Sequence, residues 1–173
     1  MNSNRVKYAI LTGAALTVGA LALQIPGRAV ATPASAGWVT ETPLTTAFFE
    51  NIKIKSGDDD PGGNLVRLIA ADPTDVYVVK NTVAPGADSG WHSHPGPSLV
   101  IVKTGTATVY EGDDTSCTAV TYSAGSGFVD AGGTHVHLVR NASTTDPLVT
   151  VAFQMIPHGL ARRIDAPKPS QCP

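Results

Sequence analysis

Residues 76–110 read VYVVKNTVAPGADSGWHSHPGPSLVIVKTGTATVY. β-branched and aliphatic side chains fill Val76 to Val83, and Pro85-Gly86 ends the run, as turn residues do between strands. The second apolar run, Leu99 to Lys103, is bounded by Gly105 and is short enough to be a buried strand rather than a helix. Thr106 to Tyr110 follows as its hairpin partner. Between the two runs stand His92 and His94, one residue apart.

The same grammar extends in both directions. Ala47 to Lys55 alternates loosely through Phe49, Ile52 and Ile54, and reads as a first strand. Leu65–Ala70, Thr118–Tyr122, His135–Val139 and Leu148–Ile156 read as further strands. Turn-rich segments separate them: Ser56–Asn64, Asp72-Pro73, Gly112–Ser116 and Gly125–Gly133. Strands arriving about every 8–12 residues, with no 3.6-residue apolar period, predict an all-β fold, an antiparallel sandwich or barrel. The Asp58-Asp59-Asp60 run lacks the spaced ligands of a calcium-binding loop and reads as a solvated turn.

At 173 residues, 42% of them hydrophobic and 15% charged, the chain suits one folded domain and is too apolar for a disordered one. The formal charge of −2 and the 6% aromatic content leave no footprint for nucleic acid. Residues 1–31 carry Arg5 and Lys7, an apolar run from Ala9 to Ile25, and the small-residue end Ala29-Val30-Ala31. That order of features predicts a secretory signal peptide, cleaved after Ala31 or after Ala36; a retained membrane anchor is the alternative. Cleavage leaves nine basic and fourteen acidic residues, a net of −5, with no attraction to anionic lipid. The expected layout is a signal peptide over 1–31, an extended lead-in over 32–46, a β-barrel over 47–157 and a C-terminal tail over 158–173. The expected location is secreted or extracytoplasmic. Cys117 and Cys172 are the two cysteines, and in an oxidising compartment an even count predicts a disulfide rather than two free thiols.

Four of the five histidines form two pairs, His92/His94 and His135/His137. Residues i and i+2 of a strand share a face, so each pair aims two imidazoles in one direction. Two strands facing each other would bring the pairs to one volume. Imidazole ligands suit iron, copper, nickel, manganese or zinc. Packing gives no reason to repeat the pattern. Trp91, Phe128, Phe153 and Met155 read as core first and pocket lining second. Asp130 reads as a loop aspartate or an acceptor behind a ligand, Asn141 as a turn former, His158 as a surface residue, and Arg162-Arg163 as a solvated basic pair.

The surroundings of these histidines resemble the cupin family. Its first motif, G(X)5HXH(X)3,4E(X)6G, is met in spacing by Gly86, His92, His94, Ser98 and Gly105, with Ser98 in place of the glutamate. Its second, G(X)5PXG(X)2H(X)3N, is met by His137 and Asn141, while Gly132 and Thr134 stand at the proline and glycine positions. The resemblance implies a jelly-roll β-barrel with His92, His94 and His137 around one divalent transition metal. Ser98 offers no carboxylate, so the implied site is a neutral three-histidine face with an open position, similar to that of the thiol dioxygenases, or a site that has lost its metal. His135 is a candidate fourth ligand if the strand is regular. Displaced by a bulge or loop at Gly132-Gly133, it becomes a candidate catalytic group that orients a ligand or accepts a proton. The expectation is an exported metal-binding cupin acting on a small molecule, in the manner of an oxidoreductase of dioxygenase type. The alternatives are a non-catalytic metal- or ligand-binding domain and a purely structural barrel. Cupins are often dimeric, which admits a homodimer.

Overall fold

The computed structural model describes residues 30–57 and 65–172; the signal segment predicted over 1–31 lies outside these but for its last two residues. Twelve strands follow in chain order: β1 (Trp38–Phe49), β2 (Ile52–Ser56), β3 (Val66–Ala70), β4 (Thr74–Val83), β5 (His92–Ser93), β6 (Ser98–Thr104), β7 (Thr106–Glu111), β8 (Val120–Ser123), β9 (Gly127–Asp130), β10 (His137–Arg140), β11 (Leu148–Pro157) and β12 (Ile164–Asp165). Among the described residues there is no helix.

Two five-stranded antiparallel sheets form the body, in the orders β1-β4-β11-β6-β9 and β12-β5-β10-β7-β8, with β2-β3 as a separate hairpin. Alternation explains why the sheets face each other. Along β11, Leu148, Thr150, Ala152 and Gln154 are buried and point one way. Along β6, Ser98, Val100 and Val102 turn inward, while Leu99 and Ile101 are exposed. The core joins Val83, Val102 and Leu148 of the first sheet to Ala107, Val109 and Val139 of the second. It fills one end of the barrel. At the other end the inward positions are polar (Thr150, Gln154, Ser98), and a cavity takes the place of the core.

Several strands differ in extent from the sequence reading. The strand predicted over 47–55 is two strands, and β1 begins at Trp38 within the predicted lead-in, because Trp38–Glu41 pairs with Val83–Lys80 of β4. Gly127–Asp130, predicted as loop, is the edge strand β9; Gly127 fits there because a β-carbon would lie 2.5 Å from the Val100 carbonyl oxygen. The predicted buried run 99–103 is half outward-facing, since nothing among the described residues covers that side of the sheet. The tail is ordered: β12 pairs with β5, Ile164 opposite Ser93 and Asp165 opposite His92. A disulfide joins Cys117 to Cys172, as the cysteine count predicted. Trp91 packs on that disulfide together with Tyr110, Val136 and Leu138, in a second core away from the cavity.

Candidate metal centre

His92 lies on β5 and His137 on β10, directly opposite in register, with ring centroids 4.3 Å apart. His94 follows just past β5, its ring centroid 4.9 Å from that of His92. All three are at most 5% exposed, and one nitrogen from each lies within 4.8 Å of the others. The local chain fixes which nitrogen that is for two of them. His92 Nδ1 donates to the Gly90 carbonyl at 3.0 Å, and His94 Nδ1 donates to the Arg162 carbonyl at 2.5 Å. Each bond holds the Nδ1–H tautomer and leaves the lone pair on Nε2, which for His94 faces the Gln154 amide at 3.5 Å. Gly90 makes this possible through a left-handed φ of 62°, in a site where a β-carbon would strike the backbone of Thr32 and Pro33.

Burial drives the pKa of His92 far below that of a free imidazole, and the neighbouring His137 pushes the same way. Burial likewise lowers His94 and His137, against the pull of Asp130 in the opposite sense. The three rings are therefore neutral, the form that ligates a metal. His137 Nδ1 is buried without a hydrogen-bond partner, an arrangement that costs free energy unless something else meets it. Neutral convergent imidazoles with an unsatisfied buried nitrogen fit a transition metal, so the histidine cluster is able to hold one.

The carboxyl chemistry comes from another strand. Asp130, 3% exposed, ends β9 opposite Ser98. Its Oδ2 accepts from Ser98 Oγ at 3.4 Å and lies 4.0 Å from His94 Nε2. Its Oδ1 accepts from the Gly132 N–H at 2.9 Å and lies 3.7 Å from His137 Nδ1. Gln154 completes the network, donating to Ser98 Oγ at 3.0 Å.

His135 falls in the loop before β10, because Gly132 and Gly133 turn at positive φ. Gly132 packs so closely that a β-carbon there would lie 2.3 Å from the backbone of Gly96. His135 is thus out of the regular strand parity and groups with Asp130 and His137 rather than with His92 and His94. Its Nδ1 lies 3.6 Å from Asp130, and its Nε2 lies 3.4 Å from both Glu111 and Asp113. Burial raises the Glu111 pKa.

The cavity over the histidines measures about 320 Å³ and is lined on its apolar side by Trp38, Val100, Phe128, Val139 and Ala152. Of the four apolar residues considered from sequence, only Phe128 lines it; Phe153 is exposed. Asn141 is fully buried and bonds the Val83 and Asp146 carbonyls, shaping the loop before β11. His158 sits at the surface against the Asp75 carboxylate at 3.0 Å, which holds the Asp75 pKa low. Arg162 and Arg163 also line the cavity, contrary to the reading of a solvated pair. Only the strand pairing of the tail reveals them, and a two-residue strand carries no sequence pattern.

Residues 80–153 match the family model described as Cupin domain. No curated protein shows significant similarity to the chain. Among solved structures the chain is similar to an uncharacterized conserved protein with a double-stranded β-helix domain from Klebsiella pneumoniae, at 21% identity over 69% of this chain and 86% of that one, TM-score 0.45. It is similar to a cupin-like protein from Thermotoga maritima, at 24% identity over 54% of this chain and 65% of that one, TM-score 0.46. It is also similar to a variant of Bacillus subtilis oxalate decarboxylase, at 23% identity over 52% of this chain and 23% of that one, TM-score 0.45.

Proposed function

The chain belongs to the cupin family through residues 80–153, and from that premise we propose that it is an exported domain binding one divalent transition metal and acting on a small molecule as a dioxygenase-type oxidoreductase. The observation that carries the metal reading is the meeting of His92, His94 and His137, three buried neutral imidazoles with ligand atoms within 4.8 Å of one another. These three hold the metal. Iron, copper, nickel, manganese and zinc all accept such a set. When bound, the ion supplies Lewis acidity and, if redox-active, electron transfer at the floor of the cavity.

The chain's own residues do the rest. The Gly90 and Arg162 carbonyls orient two of the ligands. Asp130 brings to the site the negative charge that Ser98 lacks. His135 reaches the site through Asp130, and so acts as the positioning group behind His137. The apolar wall of Trp38, Val100 and Phe128 excludes water from one side of the cavity. The Cys117–Cys172 bridge supports the exported location, since such bonds persist in oxidising compartments.

Metal analysis of the purified secreted protein tests this. One redox-active ion per chain is expected, lost in the double variant His92→Ala/His94→Ala with the fold retained. Undiminished metal in that variant excludes the site. The serine at the glutamate position favours a second reading, a domain that holds a metal or small ligand without turnover. Stoichiometric zinc with no consumption of dioxygen would establish it.

A further inference from the structure

We propose that the cavity takes a small organic carboxylate with an apolar body, and that Arg162 grips its carboxylate. The inference rests on the metal reading above, because the ion and the guanidinium hold the same ligand. Arg162 stands just before β12, whose pairing with β5 fixes its backbone against the histidines, and its carbonyl is the one that accepts from His94 Nδ1. Its side chain lines the cavity and makes one hydrogen bond, from Nη1 to Gln154 Oε1 at 2.7 Å. Among the described residues no carboxylate pairs with it. Arg163 beside it differs: its Nε binds Asp165 at 2.7 Å and its Nη2 binds the Ser89 carbonyl at 2.6 Å.

A half-buried guanidinium with free N–H groups and no counter-ion is a receptor for a planar anion, which it meets with two parallel bonds. Gln154 spaces the guanidinium from the metal-facing edge of the site: its Oε1 accepts from Arg162, and its Nε2 lies 3.5 Å from His94 Nε2. Asp130 within the same cavity opposes a multiply charged anion such as phosphate. The wall of Trp38, Val100, Phe128 and Ala152 suits a hydrocarbon body.

The test uses the mature protein loaded with zinc, its zinc content measured first. Calorimetric titration compares acetate, butyrate and benzoate with acetamide, butyramide and benzamide, and with inorganic phosphate. Carboxylates are expected to bind at least tenfold more tightly than their amides, benzoate best. Arg162→Gln is expected to lose at least tenfold in benzoate affinity at unchanged zinc content, and Arg162→Lys to lose less. Equal binding of acids and amides by the wild type overturns the proposal without any variant. So does phosphate binding above benzoate, or unaltered benzoate binding in a folded Arg162→Gln. Zinc uptake with no carboxylate binding defeats this proposal alone. Failure of the wild type to take up zinc defeats the metal reading, and this proposal with it.

Discussion

Ser98 and Asp130 stand opposite one another in the β6–β9 ladder, and the serine hydroxyl donates to the aspartate Oδ2 at 3.4 Å. The cupin motif expects a carboxylate at the serine's position. Here the acid projects from the paired strand and reaches the same neighbourhood, 4.0 Å from His94 Nε2. The loss of charge at position 98 is thus local to the sequence and not to the site.

Asp130→Asn is therefore expected to lower metal affinity about 10- to 100-fold, the range seen when a carboxylate supporting a metal centre is removed. The fold should survive, because the asparagine Oδ1 still accepts from the Gly132 N–H. Competition against a chromogenic chelator measures the effect, and Ser98→Glu in the same background should restore part of the loss. Unchanged affinity in Asp130→Asn would assign the acid a structural role only.

Acid should destabilise the metal-free protein early. His92, His94 and His137 have folded pKa values below the ordinary imidazole value of about 6.5, chiefly through burial. The unfolded chain then binds more protons than the folded one, so their contribution is present above that pH and is lost as pH falls below it. Thermal unfolding in the presence of a chelator, followed from pH 7.5 down to pH 5, should show a falling midpoint. A triple exchange of these histidines for glutamine should flatten the slope.

Removing the disulfide should weaken the whole domain. Its 55-residue separation corresponds to roughly 4 kcal/mol on chain entropy alone. Denaturant titration of Cys117→Ser/Cys172→Ser against the wild type measures it, with a midpoint shift toward lower denaturant expected. Oxidised and variant proteins of equal stability would show that the tail's strand pairing alone suffices.

Asn141 offers a contrast between scaffold and site. It is 1% exposed and bonds two carbonyls as well as the Ser143 N–H. Asn141→Ala leaves those groups short of partners, at about 2–4 kcal/mol. Chemical denaturation should report the loss while metal stoichiometry stays at the wild-type value.

The paired histidines and the short apolar runs carried most of the fold, because both depend on a local period that a strand enforces. Spacing alone grouped the four paired histidines, and the resemblance to the cupin motifs singled out His92, His94 and His137 among them. His135 could not be placed, since its direction depends on a glycine turn whose shape is set by contact with Gly96. Asp130 and Arg162 were legible only as an ordinary loop acid and an ordinary basic residue. What makes them members of the site is pairing across the chain: β9 against β6 for one, and β12 against β5 for the other. Neither two- nor four-residue strands carry enough alternation to announce such partners. The outward Leu99 and Ile101 were misread for a related reason, as an apolar run looks the same whether one or both of its faces are covered.

Because the tail segment that carries Arg162 into β12 is tethered further on by a sulfur–sulfur link, thiol reductants in a purification buffer are expected to slacken one side of the chamber. Ligand screens run with and without such additives should therefore be treated as experiments on two different receptors.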